Sequence, residues 1–198
     1  VLGPGTGLGA AALLRAGGGW LPVTTEAGHM DLGPTDSLED AIWTHLPRVE
    51  GRVTFESVLS GPGLARLYAA LRASRGLHPL ARDPAEVTAA AEGGESLAVE
   101  TIGLFWKFAA RCAGDLALAF LPRGGVTLGG GVLPRLARWL DAESFRRVFE
   151  AKAPMDMLMR AIPTRLLVET DSALAGMAAL AARPDDYVID YEARAWRR

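Results

Sequence analysis

The stretch TIGLFWKFAARCAGDLALAF, residues 101–120, sets the terms for everything around it. It is long and mostly apolar, and its charged residues Lys107, Arg111 and Asp115 recur every fourth position. On a helix that spacing aligns them on one face. Each would cost about 2.5–3.5 kcal/mol near the middle of a bilayer. The spacing therefore predicts a buried amphipathic helix with one solvated stripe, not a membrane span, and the rest of the chain has to supply its packing partners.

The flanking sequence alternates strand and helix signals. AAALLR and WLPVTTE, on either side of AGGG, predict a β-hairpin over 10–26, because glycines supply the positive φ of a tight turn. TDSLEDAIWTHLPR (35–48) predicts a helix capped by Asp36 or Ser37. VTFESVLSGPGLARLYAALRAS (53–74) predicts two helices parted at SGPG, and Asp83 with Pro84 opens another. After the long helix, taken as 95–120, GGVTLGGGVLPRLARWL predicts a short buried strand, a glycine turn and a helix. DAESFRRVFEA is a helix, PTRLLVE a strand, and DSALAGMAALAAR a final amphipathic helix. This mixture favours an α/β or α+β architecture. The closing PDDYVIDYEARAWRR offers no clear docking face and is expected to form a mobile tail, leaving one large domain over 1–183 and a tail over 184–198.

Composition removes several classes of function. A net charge of -2 gives no nucleic-acid footprint or basic membrane patch. One cysteine, Cys112, excludes an internal disulfide framework and a multi-cysteine zinc site, and fits a reducing, cytoplasmic setting. Residues 1–14 lack the basic region of a signal peptide, and the start at Val1 without Met is expected of a fragment or a processed product. Cys112 reads as a small core residue, His45 and His78 as structural or exposed, and Lys107, Arg111 and Asp115 as a solvated helix face.

Glycine is concentrated at two places. GTGLG (5–9) puts successive backbone N–H groups and a hydroxyl where they suit phosphate oxygens, although a ligand-free hairpin turn looks the same. No lysine follows, so this is not a Walker A loop. Gly5, Gly7 and Ala10 satisfy the dinucleotide pattern, with Glu26 or Asp31 about 20 residues on, but the strand before is too short and AGGG interrupts the helix that must follow. The second cluster, LGGGVLP (128–134), lies between a strand and a helix, suiting either a nucleotide or close packing. In TTEAGHMD, Glu26 and His29 stand at a strand end and can offer a sugar an acceptor and a donor in turn. Glu56 by itself reads as an ordinary surface carboxylate.

Taken in order, GPGTGLG, EAGH, ESVLSGPGL and GGVTLGGGVLPR resemble the bacterial ATP-dependent glucokinase family of the actin-like sugar-kinase superfamily, from residue 1 to about 180. The related repressor–kinase family is disfavoured, since its cysteine-rich zinc loop has no counterpart here. The resemblance implies an α/β, ribonuclease H-like large domain with a mixed sheet flanked by helices. It implies that Gly5, Thr6, Gly7 and Gly9 form a second phosphate loop and Gly129, Gly130 and Gly131 an adenosine turn. It assigns Glu26, His29 and Glu56 to glucose, and ATP with Mg2+ as the cofactors. It also implies that the first phosphate loop (D-x-G-G-T) and the Asp base of an N-D pair lie in an N-terminal portion that this chain does not contain, so no catalytic residue and no metal ligand is expected among these 198 residues.

The leading expectation is therefore the large-domain part of a cytoplasmic glycolytic glucokinase, inactive by itself. A non-catalytic sugar- or nucleotide-binding module on the same half-fold is the alternative, and a nicotinamide dehydrogenase is remote. Glucose and ATP are the expected partners, nucleic acid and membrane are not, and a homodimer is left open.

Overall fold

The computed structural model describes residues 1–78, 80, 83–169 and 171–189. Strands β1 (Leu2–Pro4), β2 (Leu8–Ala16) and β3 (Gly19–Thr25) come first, followed by helices α1 (Ser37–Trp43), α2 (Phe55–Val58), α3 (Gly61–Ser74), α4 (Pro84–Glu92) and α5 (Ser96–Phe120). Then come β4 (Val126–Leu128), α6 (Leu133–Leu136), α7 (Ala142–Glu150), α8 (Asp156–Arg160), β5 (Thr164–Leu166) and α9 (Ser172–Ala182). The strands form one mixed sheet in the order β3-β2-β1-β4-β5. β3, β2 and β1 are antiparallel neighbours, whereas β1, β4 and β5 run parallel. β1 is thus the seam between two kinds of sheet, and Leu2 pairs with Ala10 on one side and Leu128 on the other.

Local chemistry explains most boundaries. The β2–β3 hairpin turns at Gly17 and Gly18, both with positive φ, as a two-residue turn between right-twisted strands requires. Asp36 accepts from the Glu39 N–H to open α1, and Ser60 accepts from the Gly63 N–H to open α3. Asp83 and Glu86 close a reciprocal capping box on α4.

The long helix α5 packs against α3, α4 and α7 and carries Ile102, Phe105, Phe108 and Cys112 into the core. Its charged stripe departs from expectation. Lys107 reaches Asp36 and Glu39, Arg111 reaches Glu39 at 2.8 Å, and Asp115 pairs with Lys152 at 2.5 Å. Glu39 is fully buried, so this face is not a solvated one but an ionic seam against α1 and the 150s. Sequence spacing placed the charges on one face; it carried no information about what lay opposite.

Three further differences concern the C-terminal third. α8 was not expected; it is barely more than one turn, and Met157 and Leu158 point outward. α9 forms as expected but buries no residue, with Leu174 and Met177 exposed. The segment after it does find a docking face: Tyr187 bridges to Trp20 of β3, and the Val188 N–H donates to the Trp20 carbonyl at 2.8 Å. Residues 190–198 of the expected tail lie outside the described residues.

Candidate active site

β1 runs into the first glycine cluster and β2 leaves it, so residues 5–7 hang from the middle of the sheet. The loop is folded back on itself: the Gly5 N–H donates to the Gly7 carbonyl at 2.8 Å, and the Gly61 N–H, at the start of α3, donates to the Gly5 carbonyl at 2.7 Å. The second cluster lies alongside. Gly129 N–H donates to the Leu2 carbonyl and Val132 N–H to the Pro4 carbonyl. Gly130 has φ of +80°, and a Cβ there would stand 2.6 Å from the Pro4 oxygen, so only glycine lets the two turns meet.

A cleft of about 520 Å³ opens where they meet, bordered by Gly5 and Thr6 from the first cluster, Gly131 from the second, and Gly61 and Pro62 from α3. A Cβ on Gly5 or Gly131 would meet nothing within 4 Å, so both face open space. The apolar wall, with Leu64, Ala85, Ala89, Val132 and Leu136, suits a flat aromatic ring. Gly7, Gly9, Gly129 and Gly130 do not border this cleft. Gly9 lies within β2 opposite Gly3, while Gly129 and Gly130 are taken up in packing on β1. A larger hollow of about 670 Å³, between the hairpin and the end of α5, is lined by Leu13, Trp20, Phe120 and Leu121 but by none of the candidate site residues. Size does not select the site; the convergence of glycines does.

Glu26 and His29 bracket a single 3-10 turn, Ala27–His29, directly after β3. His29 Nε2 lies 3.9 Å from Glu26 Oε2, and both side chains are largely exposed. They are therefore open to a ligand's hydroxyls, one as acceptor and the other as donor or acceptor. The turn rests on the glycine loop: a Cβ on Gly28 would stand 2.4 Å from the Leu8 carbonyl oxygen. Glu56, half-buried on α2, comes to the same residue from the other side, its Oε2 accepting the Leu8 N–H at 2.8 Å. The three carboxylate and imidazole candidates thus gather around Leu8. Two contributors were not anticipated. Arg52 donates to the His29 carbonyl at 2.9 Å and pairs with Asp31 at 2.7 Å, and α4 forms one wall of the cleft. Neither carries a local sequence signal, because each acts only after distant segments have met.

The family pattern for glucokinase matches residues 1–184. The chain belongs to the glucokinase family. It is 46% identical to the glucokinase of Sinorhizobium fredii across 100% of its own length, and spans 58% of that relative's. Its fold superposes on a glucokinase from an Antarctic psychrotroph with a TM-score of 0.84 at 34% identity, covering 92% of this chain and 57% of the other. A more distant likeness, TM-score 0.58 at 22% identity over 92% of this chain and 59% of the other, is to a ROK family glucokinase from Streptomyces griseus in complex with glucose and AMPPNP. This glucokinase-family chain therefore has the mixed, helix-flanked sheet of the actin-like sugar kinases and spans a little over half the length of the curated relatives it matches.

Proposed function

We propose that this chain forms the nucleotide cleft and part of the sugar site of an ATP-dependent glucokinase. The observation that carries this reading is the cleft itself, where Gly5, Thr6 and Gly131 converge and where the loop carrying Gly5 and Thr6 is backed by Glu56. The adenine ring would lie on the apolar wall beside α4, with Gly131 open for the ring or ribose to approach the backbone. Thr6, exposed at the loop tip, would offer its hydroxyl to a terminal phosphate oxygen. Glu26, His29 and Glu56 would hold glucose hydroxyls, leaving the 6-hydroxyl towards the phosphates. Such transfers rest on positioning and charge stabilisation, and a carboxylate base takes the hydroxyl proton. The resemblance puts that base outside this chain.

Mg2+ would accompany the nucleotide and neutralise charge on its phosphates. Among the described residues no group of three His, Cys, Asp or Glu stands together as a cage. No described helix is long and apolar enough to cross a membrane. A cytoplasmic enzyme of glycolysis remains the setting we propose.

The reading is tested by kinetics on the full-length protein carrying this chain. Glu26→Gln and His29→Ala should each raise KM for glucose and lower kcat/KM. The expected factor is about two to ten for a lost neutral hydrogen bond, and more for a charged one. Unchanged glucose kinetics in both variants would remove these residues from the site.

A further inference from the structure

Leu8 is the point at which the candidate sugar site and the candidate nucleotide site touch. Its N–H is held by Glu56, and its carbonyl oxygen faces Gly28 at the centre of the Glu26–His29 turn. Glu56 also presses on the residue before it: a Cβ at Gly7 would stand 2.6 Å from Glu56 Oε2. Oε2 is thus fixed against the loop, while Oε1 has no hydrogen-bond partner among the described residues and is free for a ligand hydroxyl. The segment that follows grips the loop a second time. Ser60 Oγ donates to the Glu56 carbonyl at 2.9 Å, and Gly61 N–H donates to the Gly5 carbonyl. Residues 56–61 therefore frame residues 5–8, with a carboxylate at one end and a helix start at the other.

We propose that Glu56 is a positioning residue for the nucleotide loop as well as a sugar ligand, so that occupancy of one site is felt at the other through its two carboxylate oxygens. The proposal rests on the reading of the two sites given above. A sugar hydroxyl bound at Oε1 re-aims the carboxylate, and Oε2 transmits the change to Leu8 and the loop. Phosphate seated on the loop fixes Leu8 and so pre-sets Oε1. Binding linkage makes the two effects equal. Gly7, on this account, is glycine because the carboxylate needs the space.

The test measures Kd for glucose and for AMPPNP, each with and without the other, on the full-length protein. Glucose should tighten AMPPNP by at least about fivefold, and AMPPNP should tighten glucose by the same factor. Gly7→Ala displaces only the end of a flexible side chain, so it should fold, as circular dichroism will show. It should weaken glucose binding measured without nucleotide by roughly tenfold, although a methyl group on Gly7 removes no group a sugar could use. Glu56→Ala should abolish the mutual factor, and Glu56→Gln, which keeps an acceptor for the Leu8 N–H, should restore it. If wild type binds both ligands but Gly7→Ala leaves the glucose Kd unchanged, the carboxylate is not held by the loop and the inference is wrong. If wild type binds neither ligand, the site reading itself fails, and the inference with it.

Discussion

At the scale of single residues, the glycines of this chain divide into those that face a ligand and those that face each other. Gly5 and Gly131 open onto the cleft, whereas Gly28 and Gly130 are each pressed against a carbonyl oxygen of the first strands. The second kind is the more demanding, since backbone stands on both sides and cannot yield as a side-chain end can. Gly28→Ala would place its methyl 2.4 Å from the Leu8 oxygen and should cost about 1–3 kcal/mol through forced backbone movement. At about 2–4 °C per kcal/mol for a chain of this size, thermal melting should show a fall of several degrees. A melting temperature equal to wild type would mean that the 3-10 turn does not bear on Leu8. The EAGH motif shows glycine between two polar residues but not the reason for it, because the carbonyl that excludes a side chain comes from 20 residues earlier.

Among the elements, the union of α1 with α5 has the clearest consequence. Glu39 is fully buried, accepts from the Thr35 N–H at 2.7 Å, and meets Arg111 at 2.8 Å. Its Oε1 lacks a well-directed hydrogen bond and instead answers to the Lys107 charge 2.6 Å away. Arg111 also donates to the Gly33 carbonyl, which fixes the loop leading out of the His29 turn. Glu39→Gln would leave two cations short of a carboxylate and should cost about 3 kcal/mol in chemical denaturation; a midpoint unmoved from wild type would dismiss the seam as incidental. The hydrogen bond from Lys107, with help from the Glu39 N–H, holds the Asp36 carboxyl below its ordinary 3.8. A depressed carboxyl contributes stability above its unfolded pKa and loses it as pH falls through the folded value. The gap in stability between wild type and Asp36→Asn should therefore be full at neutral pH and close under strong acid. For Lys107, burial works against the charge, but the pairing with Asp36 and Glu39 outweighs it and raises its pKa, so its contribution fades only above the ordinary 10.5. An Asp36→Asn gap that stayed constant into acid would contradict the lowered Asp36 carboxyl. The sequence discloses the hairpin, the caps of α1 and α4, and the helix–glycine–helix break, because each is written in neighbouring residues. It is silent on Lys107 with Asp36, 71 residues apart, and on Glu56 with Leu8, 48 apart, because only the assembled fold brings them together.

For the molecule as a whole, the proposed function makes this chain one side of a cleft. On the reading proposed above the catalytic base lies outside these residues, so the purified 198-residue chain, freed of host kinases, should show no glucose phosphorylation in a coupled assay. Measurable turnover by it would overturn the assignment of that base to another part of the protein. The four motifs that pointed to a sugar kinase were legible because they are local. Their division of labour was not: Gly5, Thr6 and Gly131 reach the cleft, while Gly9 lies in β2 and Gly130 packs its turn against β1. The folded-back loop between β1 and β2 bears on the entropy of binding. With Gly5 tied to Gly7 on one side and to Gly61 on the other, these three residues already have their shape before any nucleotide arrives. The loss of freedom that so bare a backbone must undergo falls within folding, and little of it is left to oppose the ligand.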